Sequence, residues 1–501
     1  MALDNLRDFI AGVEAAGDLV RVDRAVSVDR EITEIADRCM KSPGGGPALL
    51  FRHPTLLKGG SSRYPVAVNL FGSERRMSAA LGVERLDQIG ERIATLLNLK
   101  VPDGLFGKLA MLPQLAEVAK YPPKTVGSRG GGGAPCQEIV IREGDVDLSQ
   151  FPVPVSWPED GGPYITLAGV ITRDPETGVR NVGMYRVQVI GPNAVAMHWQ
   201  RHKVGAAHWR AMAERGETMP VAIALGGDPA SIYAASAPLP PSIDEFLFAG
   251  FLRREPVRLV RAVSCDLEVP AEAEIVLEGR IDPREELVLE GPFGDHTGFY
   301  SLADFYPRVH ITAVTMRAEP IWPHTIVGRP PMEDYWLGHA TERIFLPLLK
   351  LTIPEIVDIH MPAEGIFHNL VFVSIDKQYP GQAYKVMNGL WGQGLMSLAK
   401  VIVVLDEDVN VRDPKEAWWV ALNHIDPERD VRFSPGPIDV LDHSSRGFTF
   451  GSKMGIDATR KWKEEGFTRE WPNRIVMDPA TKRKVDEMWK ELGIDLGGKG
   501  R

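Results

Sequence analysis

A chain of 501 residues, 44% hydrophobic and 25% charged, has the composition of an ordinary globular protein. On a prior of roughly 150 residues per domain it can bury about three cores. Its 57 basic and 67 acidic side chains leave a formal charge of −10, so no basic excess exists to neutralise phosphates, and nucleic acid is not the expected partner. Cys39, Cys136 and Cys265 are widely spaced and odd in number, which supports neither a disulfide framework nor a cysteine-rich zinc site and fits a reducing cytoplasm. The first residues lack a basic start followed by an apolar run, and strings such as Val401–Leu405 are too short to span a bilayer. The protein is expected to be neither secreted nor integral to a membrane.

In chain order, Leu3, Leu6, Ile10 and Val13 recur at helical spacing and predict an amphipathic opening helix, followed by a strand over Leu19–Val22. The Pro- and Gly-crowded stretch 121–135 predicts a break and closes an N-terminal α/β region over 1–120. From Cys136 to about residue 318, short β-rich runs at Tyr164–Ile171, Tyr185–Ile190, Val221–Leu225 and Val257–Val260 alternate with helical pieces. They predict a mixed-sheet domain built like a β-barrel with helices. A second Pro-rich join, 319–331, leads into an α/β domain over 330–460. Its predicted strands are Leu370–Ile375 and Lys400–Leu405, around a helix at Gly381–Leu390. The tail, 461–501, predicts a helix capped by Asp478 with Pro479 in its first turn. Val485, Met488, Trp489 and Leu492 form one stripe, to be covered by the same subunit or by a neighbour.

The most informative stretch is Glu290-Gly-Pro-Phe-Gly-Asp-His296, which holds two carboxylates in a loop restricted by Gly and Pro. Such a pair suits acid/base chemistry, and equally suits turn capping or pairing with arginine. Upstream, Asn181–Arg186 and Met197–His202 supply an amide, a guanidinium and two imidazoles. His198 and His202, four apart, could share a metal on one helical face or be structural. Asn181 with Asp244 or Glu245 would add the oxygen ligands that Mg²⁺ or Mn²⁺ prefers, in a site that bridges to a phosphate. Asp406, Asp408 and Asn410 imitate a calcium loop, but Val411 and Ala417 stand where Gly and Glu are required. Gly130–Gly133 lacks the Lys-Ser or Lys-Thr of a P-loop. Neither Gly-x-Ser-x-Gly nor His-Glu-x-x-His occurs.

Alongside these stretches stand Ala224-Leu-Gly-Gly-Asp-Pro229, Ala235-Ser-Ala-Pro-Leu-Pro240, Ile243-Asp-Glu-Phe-Leu-Phe-Ala-Gly250 and Leu289–Gly298. The set resembles the UbiD family of decarboxylases, which use prenylated FMN. Pro331-Met-Glu-Asp334, Ala340–Pro347, Phe367-His-Asn-Leu370 and Gly451–Thr459 are similar to the branch acting on 4-hydroxy-3-polyprenylbenzoate in ubiquinone or menaquinone synthesis. The resemblance runs over nearly the whole chain.

It implies a split β-barrel-like flavin domain at the centre and a carboxy-lyase activity. Arg186, Glu290 and Asp295 fall on the family's arginine and acid pair, with Asp295 in the place of the proton donor. Asn181, His202 and Glu245 fall on the ligands of a divalent cation, Mn²⁺ or Mg²⁺, with K⁺ a further candidate. Met184, Tyr185, Arg186, His198, Trp199, Gln200, Lys203 and Val204 match segments lining the prenylated flavin. A neighbouring Glu290 and burial are expected to raise the pKa of Asp295, and Arg186 either binds the substrate carboxylate or balances Glu290. The implied partners are an aromatic carboxylic acid, a flavin prenyltransferase as cofactor supplier, and further copies of the chain in a dimer or hexamer. Membrane contact would be peripheral at most. The alternatives are a decarboxylase of a small phenolic or heteroaromatic acid and a non-catalytic flavin- or metal-binding subunit.

Overall fold

The computed structural model describes residues 3–97, 120–127, 134–200 and 203–494; the predicted Gly130–Gly133 linker, Arg201 and His202 lie outside them. At the N-terminus Asn5 caps the helix Leu6–Ala15 by accepting from the Arg7 and Asp8 N–H groups, and Leu6, Phe9, Ile10 and Val13 turn into a core. The predicted strand Leu19–Val22 pairs in parallel with Ala48–Phe51, Leu19 opposite Ala48, and Val66–Val68 runs antiparallel beyond it. The fourth strand of this sheet is Trp322–Pro323, parallel to Val66–Val68. The Pro-rich join is therefore more than a connector. It returns to the N-terminal layer and buries Trp322 completely, its ring also packed against Phe151 at 5.8 Å.

The central sheet has nine strands. Its path runs Arg180–Met184, Ala168–Arg173, Met219–Gly226, Ala273–Ile281, Arg308–Met316, Ala194–Met197, Val187–Gly191, Tyr164–Ile165, with Ile139–Arg142 beside Arg308–Met316. The strands are buried on both faces: Val221, Ile223 and Leu225 enter one cluster and Ala222 and Ala224 another. Such alternation is period two applied to a sheet covered on both sides. Each fully buried Val, Leu or Ile contributes about 1.5–3 kcal/mol relative to an exposed one.

Arg180–Met184 is the first strand of that path and Val187–Gly191 the next to last, inside Tyr164–Ile165, yet only Tyr185 and Arg186 separate them in sequence. Ile165 and Ala168 are likewise joined across the same opening by Thr166 and Leu167. The half-barrel is thus bridged at its seam by chain continuity rather than by a hydrogen-bonded ladder, as a split barrel requires. A strand was predicted straight through Tyr185–Ile190; the break arises because Tyr185 and Arg186 cross the seam, and Arg186 is delivered into it.

The C-terminal sheet runs Ile356–His360, Leu370–Ile375, Val401–Asp406, Phe450–Asp457, Val431–Pro437. Its central strand, predicted as buried, sends Ile402 and Val404 to one face and Val403 and Leu405 to the other, under the helices Gln382–Trp391 and Pro414–His424. The tail helix Pro479–Met488 is capped by Asp478 as predicted, but none of its residues is buried, and Ile475, Val476 and Met477 before it are exposed. No helix among the described residues is long and apolar enough to cross a membrane.

Candidate active site

Glu290 ends the strand Val288–Glu290, opposite Asp304, and Asp295 follows the short strand Phe293–Gly294. Between them the chain is pinned from outside. The Gly291 N–H donates to Gln188 Oε1 (2.9 Å), the Gly161 N–H to Pro292 O (2.7 Å), and the Gly294 N–H to Asp160 Oδ1 (2.7 Å). Gly291 has φ +97, open to glycine, and a Cβ at Gly294 would lie 2.2 Å from Trp157 Cδ1. Gly294 is there because the loop lies against an indole with no room for a side chain, and Gly291 because the turn needs its positive φ.

Arg186 reaches this loop from the seam. Its Nε donates to Glu290 Oε1 (2.8 Å), Nη2 to Glu290 Oε2 (3.0 Å) and to Ser301 Oγ (3.0 Å), and Nη1 to Asp295 Oδ2 (2.5 Å). Its Cζ stands 4.9 Å from the Phe293 ring centroid. One buried guanidinium is thus shared by two buried carboxylates, with a bidentate fork on Glu290. His198 Nδ1 lies 2.9 Å from the same Glu290, and its ring is 4.4 Å from that of Tyr306. Burial lowers the proton affinity of His198, so the neutral ring donates Nδ1–H to the carboxylate. Burial would raise the Glu290 carboxyl, but the hydrogen bonds from His198 and Arg186 outweigh it and hold it at about 2.

Asp295 corrects the expectation from the sequence. Its pKa is not raised by the neighbouring carboxylate, because Arg186 stands between the two acids and His296 pairs with it from the other side. His296 Nδ1 lies 2.8 Å from Asp295 Oδ1, which also accepts from the His296 backbone N–H. Burial pushes Asp295 up, but His296 and then Arg186 outweigh it and hold the carboxyl well below the usual range. Burial likewise opposes the charged imidazole, yet Asp295 carries His296 up to about 9. The pair shares one proton, and that proton resides on His296.

The C-terminal domain walls this corner. Phe367 stacks on His296 with centroids 5.3 Å apart, and His368 lies 5.9 Å away. Ile366 and Phe367 both adopt positive φ, 45° and 48°, a strained turn that aims these rings at the acid pair. Asp334 at the start of the helix Glu333–Thr352 is pushed up to about 7 by burial, partly countered by His296. His368 is carried down to about 4 by burial and sits 3.6 Å from Asp439.

Of the predicted metal and flavin residues, Arg186 and His198 belong to the acid-pair site, while Asn181 lies on the strand Arg180–Met184 and Glu245 on the helix Glu245–Arg253. Asn181 is buried with its amide nitrogen unpaired. Glu245 accepts from the Val182 N–H (2.8 Å), because Asp244 caps the helix Glu245–Arg253 and so sets Glu245 in its first turn. Burial pushes Glu245 up to about 7. Asp244 instead pairs with Arg180 at 2.9 Å. His198 lies outside any helix and faces Glu290, so the predicted helical pair with His202 does not form through it. Trp199 is buried with its Nε1 unpaired, against Gly205 and edge-on to Tyr185 at 6.2 Å. Gln200 O accepts from the Lys203 N–H (2.9 Å), Val204 opens the helix Val204–Arg215, and burial lowers the Lys203 amine despite Asp439. Met184 donates its N–H to Ala235 O (2.8 Å), at the end of the strand that Asn181 occupies.

Three family descriptions match: the 3-octaprenyl-4-hydroxybenzoate carboxy-lyase N-terminal domain over residues 10–93, the Rift-related domain over 129–330 and the C-terminal domain over 335–458. The chain belongs to the UbiD family. With that family it is an enzyme, a carboxy-lyase. An uncharacterized protein of Aquifex aeolicus is 53% identical over 491 residues, covering 98% of this chain and 99% of the other. The UbiD-class enzyme HmfF from Pelotomaculum thermopropionicum, in complex with FMN, is similar at 30% identity and TM-score 0.81, covering 96% of this chain and 99% of that one. The vanillic acid decarboxylase of Sedimentibacter hydroxybenzoicus, in closed form, is similar at 28% identity and TM-score 0.82, covering 98% and 99%.

Several residues around the acid pair escaped the sequence reading. Asp160 and Gln188 hold the loop, Ser301 and Tyr306 face Arg186 and His198, and Asp439 lies beside His368. His296, Asp334, Phe367 and His368 stood inside quoted motifs, but their contacts depend on partners distant in sequence.

Proposed function

We propose that this protein decarboxylates an aromatic carboxylic acid with prenylated FMN, Asp295 delivering the proton to the ring carbon. The observation that carries the proposal is the buried Arg186 shared by Glu290 and Asp295, with a protonated His296 behind the donor. A non-catalytic binding subunit has no use for a positioned acid pair with a proton stored beside it.

The residues present fit the absent groups. Glu245 is a buried carboxyl that makes no ion pair among the described residues, and the buried Asn181 amide adjoins the Val182 N–H that Glu245 accepts from. With His202, this set would hold Mn²⁺ or Mg²⁺ against the flavin phosphate, K⁺ being a further candidate. Met184 to Arg186, His198 to Gln200 and Lys203-Val204 would line the flavin. When bound, prenylated FMN supplies the electron sink for the charge left as CO₂ departs.

The chain's own residues manage charge and protons. Arg186 keeps Glu290 ionised and fixes the spacing of the acids, and His198 orients Glu290 from the opposite edge. His296 holds the proton at Nδ1, passes it to Asp295 Oδ1, and Asp295 gives it to the substrate carbon. Phe367 and the domain seam exclude water from the carbon to be protonated.

For the substrate we infer 4-hydroxy-3-polyprenylbenzoate. The ribbon that carries Glu290 is flanked by Leu289, Phe299, Leu302 and Phe305, all more than half exposed, an apolar margin suited to a prenyl tail. A small phenolic or heteroaromatic acid is the second reading, favoured by the likeness to vanillic acid decarboxylase. The protein co-expressed with a flavin prenyltransferase should release a cofactor of the mass of prenylated FMN, carry a divalent cation and evolve CO₂ from one of these acid classes. A protein that loads the flavin yet evolves CO₂ from neither would refute the reading.

A further inference from the structure

Outside the acid-pair site the described residues bring His339, Glu342 and His360 together, with their ligand atoms all within 4.8 Å of one another. We infer that these three side chains form a second metal site, for Zn²⁺ or another borderline divalent transition ion, distinct from the cation site at Asn181 and Glu245. His339 and Glu342 are three apart on the helix Glu333–Thr352 and so share a face, and His360 ends the strand Ile356–His360 beneath it.

The spacing suits coordination. His339 Nδ1 is 3.0 Å and His360 Nδ1 3.1 Å from Glu342 Oε1. Ligands at about 2.1 Å from one ion stand about 3.0–3.4 Å apart for right-angle to tetrahedral geometry. His360 Nδ1 hydrogen-bonds Glu342 Oε1 and the Met361 N–H donates to Oε2 (2.6 Å), so a shared proton accounts for the His360 contact and leaves His339 unexplained. His339 Nδ1 is buried and makes no hydrogen bond despite that approach, so a lone pair and a carboxylate oxygen point at common space. Arg343 Nε is also 3.1 Å from Glu342 Oε1 without a hydrogen bond, its Nη1 being turned to Asp358 (2.6 Å).

Charge points the same way. Glu342, Asp358 and Asp87 form one ion-paired cluster with Arg343 and Arg412, three carboxylates against two guanidiniums. The surplus is negative, with Glu342 its fully buried member and Asp87 and Asp358 part-exposed, and a cation at the imidazoles would balance it. Two imidazoles and a carboxylate suit Zn²⁺, Co²⁺, Ni²⁺ or Fe²⁺ rather than Mg²⁺ or Ca²⁺. The ion would tie the helix that begins with Glu333 and Asp334 to the C-terminal sheet, and so position the wall that faces His296.

The test uses the full chain carrying Glu245→Gln, so that the flavin-side cation is not counted. The protein is stripped with a chelator, dialysed against Co²⁺, and read by bound-metal content and visible d–d absorption. One equivalent of Co²⁺ with nitrogen-ligand bands is expected. Added His339→Ala or His360→Gln should each cut Co²⁺ affinity at least tenfold and abolish the bands, with circular dichroism confirming the folded state. His339 is half-buried, so its variant serves if His360→Gln does not fold. Absence of Co²⁺ binding in the Glu245→Gln protein, or equal stoichiometry and spectra in the histidine variants, would overturn the assignment.

Discussion

Asp295→Asn removes the ability to carry a proton while keeping the side chain's shape. In the native site Asp295 takes Arg186 Nη1 at 2.5 Å on one oxygen and both the His296 ring and backbone N–H at 2.8 Å on the other. The amide oxygen can keep either the Arg186 contact or the two His296 contacts, not both sets. Loss of a charge-assisted hydrogen bond costs about 1.5–3 kcal/mol. Arg186 stays bidentate on Glu290, so the seam should remain folded. Positioned general acids contribute about 10²–10⁴-fold, or about 2.7–5.5 kcal/mol of barrier. The variant should therefore load flavin normally and lose that factor in CO₂ release and in deuterium incorporation from D₂O. The pH profile separates this from a mere packing defect. His296 holds its proton below about 9 and loses it above, so the native rate should fall as pH rises through about 9. The raised imidazole pKa also means that the pair's stabilisation is complete below 6.5 and lost through about 9. The slow residual rate of the Asn variant should lack that limb. A flavin-loaded Asp295→Asn enzyme turning over within threefold of the native rate would refute the donor role.

Arg186→Met leaves two buried carboxylates without their cation; a loss of about 3–5 kcal/mol in urea unfolding is expected, and an unchanged midpoint would show that the fork carries no stability. Glu245→Gln should lower bound Mn²⁺ and retained flavin together. In the native protein metal affinity should rise as pH increases through about 7, because the carboxyl must lose a proton to bind; affinity flat from pH 5.5 to 8 would count against Glu245 as ligand. Gly294→Ala forces a Cβ to within 2.2 Å of Trp157 Cδ1, at an overpacking cost of about 1–3 kcal/mol, and should depress kcat by shifting Asp295 while Arg186 stays in place. A Gly294→Ala enzyme with native kcat would show that the loop tolerates the shift.

Much of the architecture was legible in the chain. Asp478 caps the tail helix where local backbone chemistry demands it, and the apolar strand Val401–Asp406 reads as buried because both of its faces are apolar. The Gly- and Pro-bound acid pair was legible as a pair, but its residues alone suited turn capping or arginine pairing as well as acid/base chemistry. What sequence distance hides was decided by the tertiary structure. Tyr185 and Arg186 look like part of a strand, yet they cross the seam between the two ends of the central sheet, a consequence of strand order that no local period encodes. Trp322 sits in a proline-rich join and pairs with Val66, some 250 positions away in sequence, because the N-terminal sheet has an edge to cover. The proton affinity of Asp295 turned on the same issue. Two neighbouring carboxylates suggest a raised pKa, but its sign depends on what stands between and behind them, and folding puts Arg186 in the first place and His296 in the second. Local sequence sets which groups are present and how the backbone bends around them; only packing sets which charges share a buried site, and in a medium that screens poorly those neighbours decide where the proton resides.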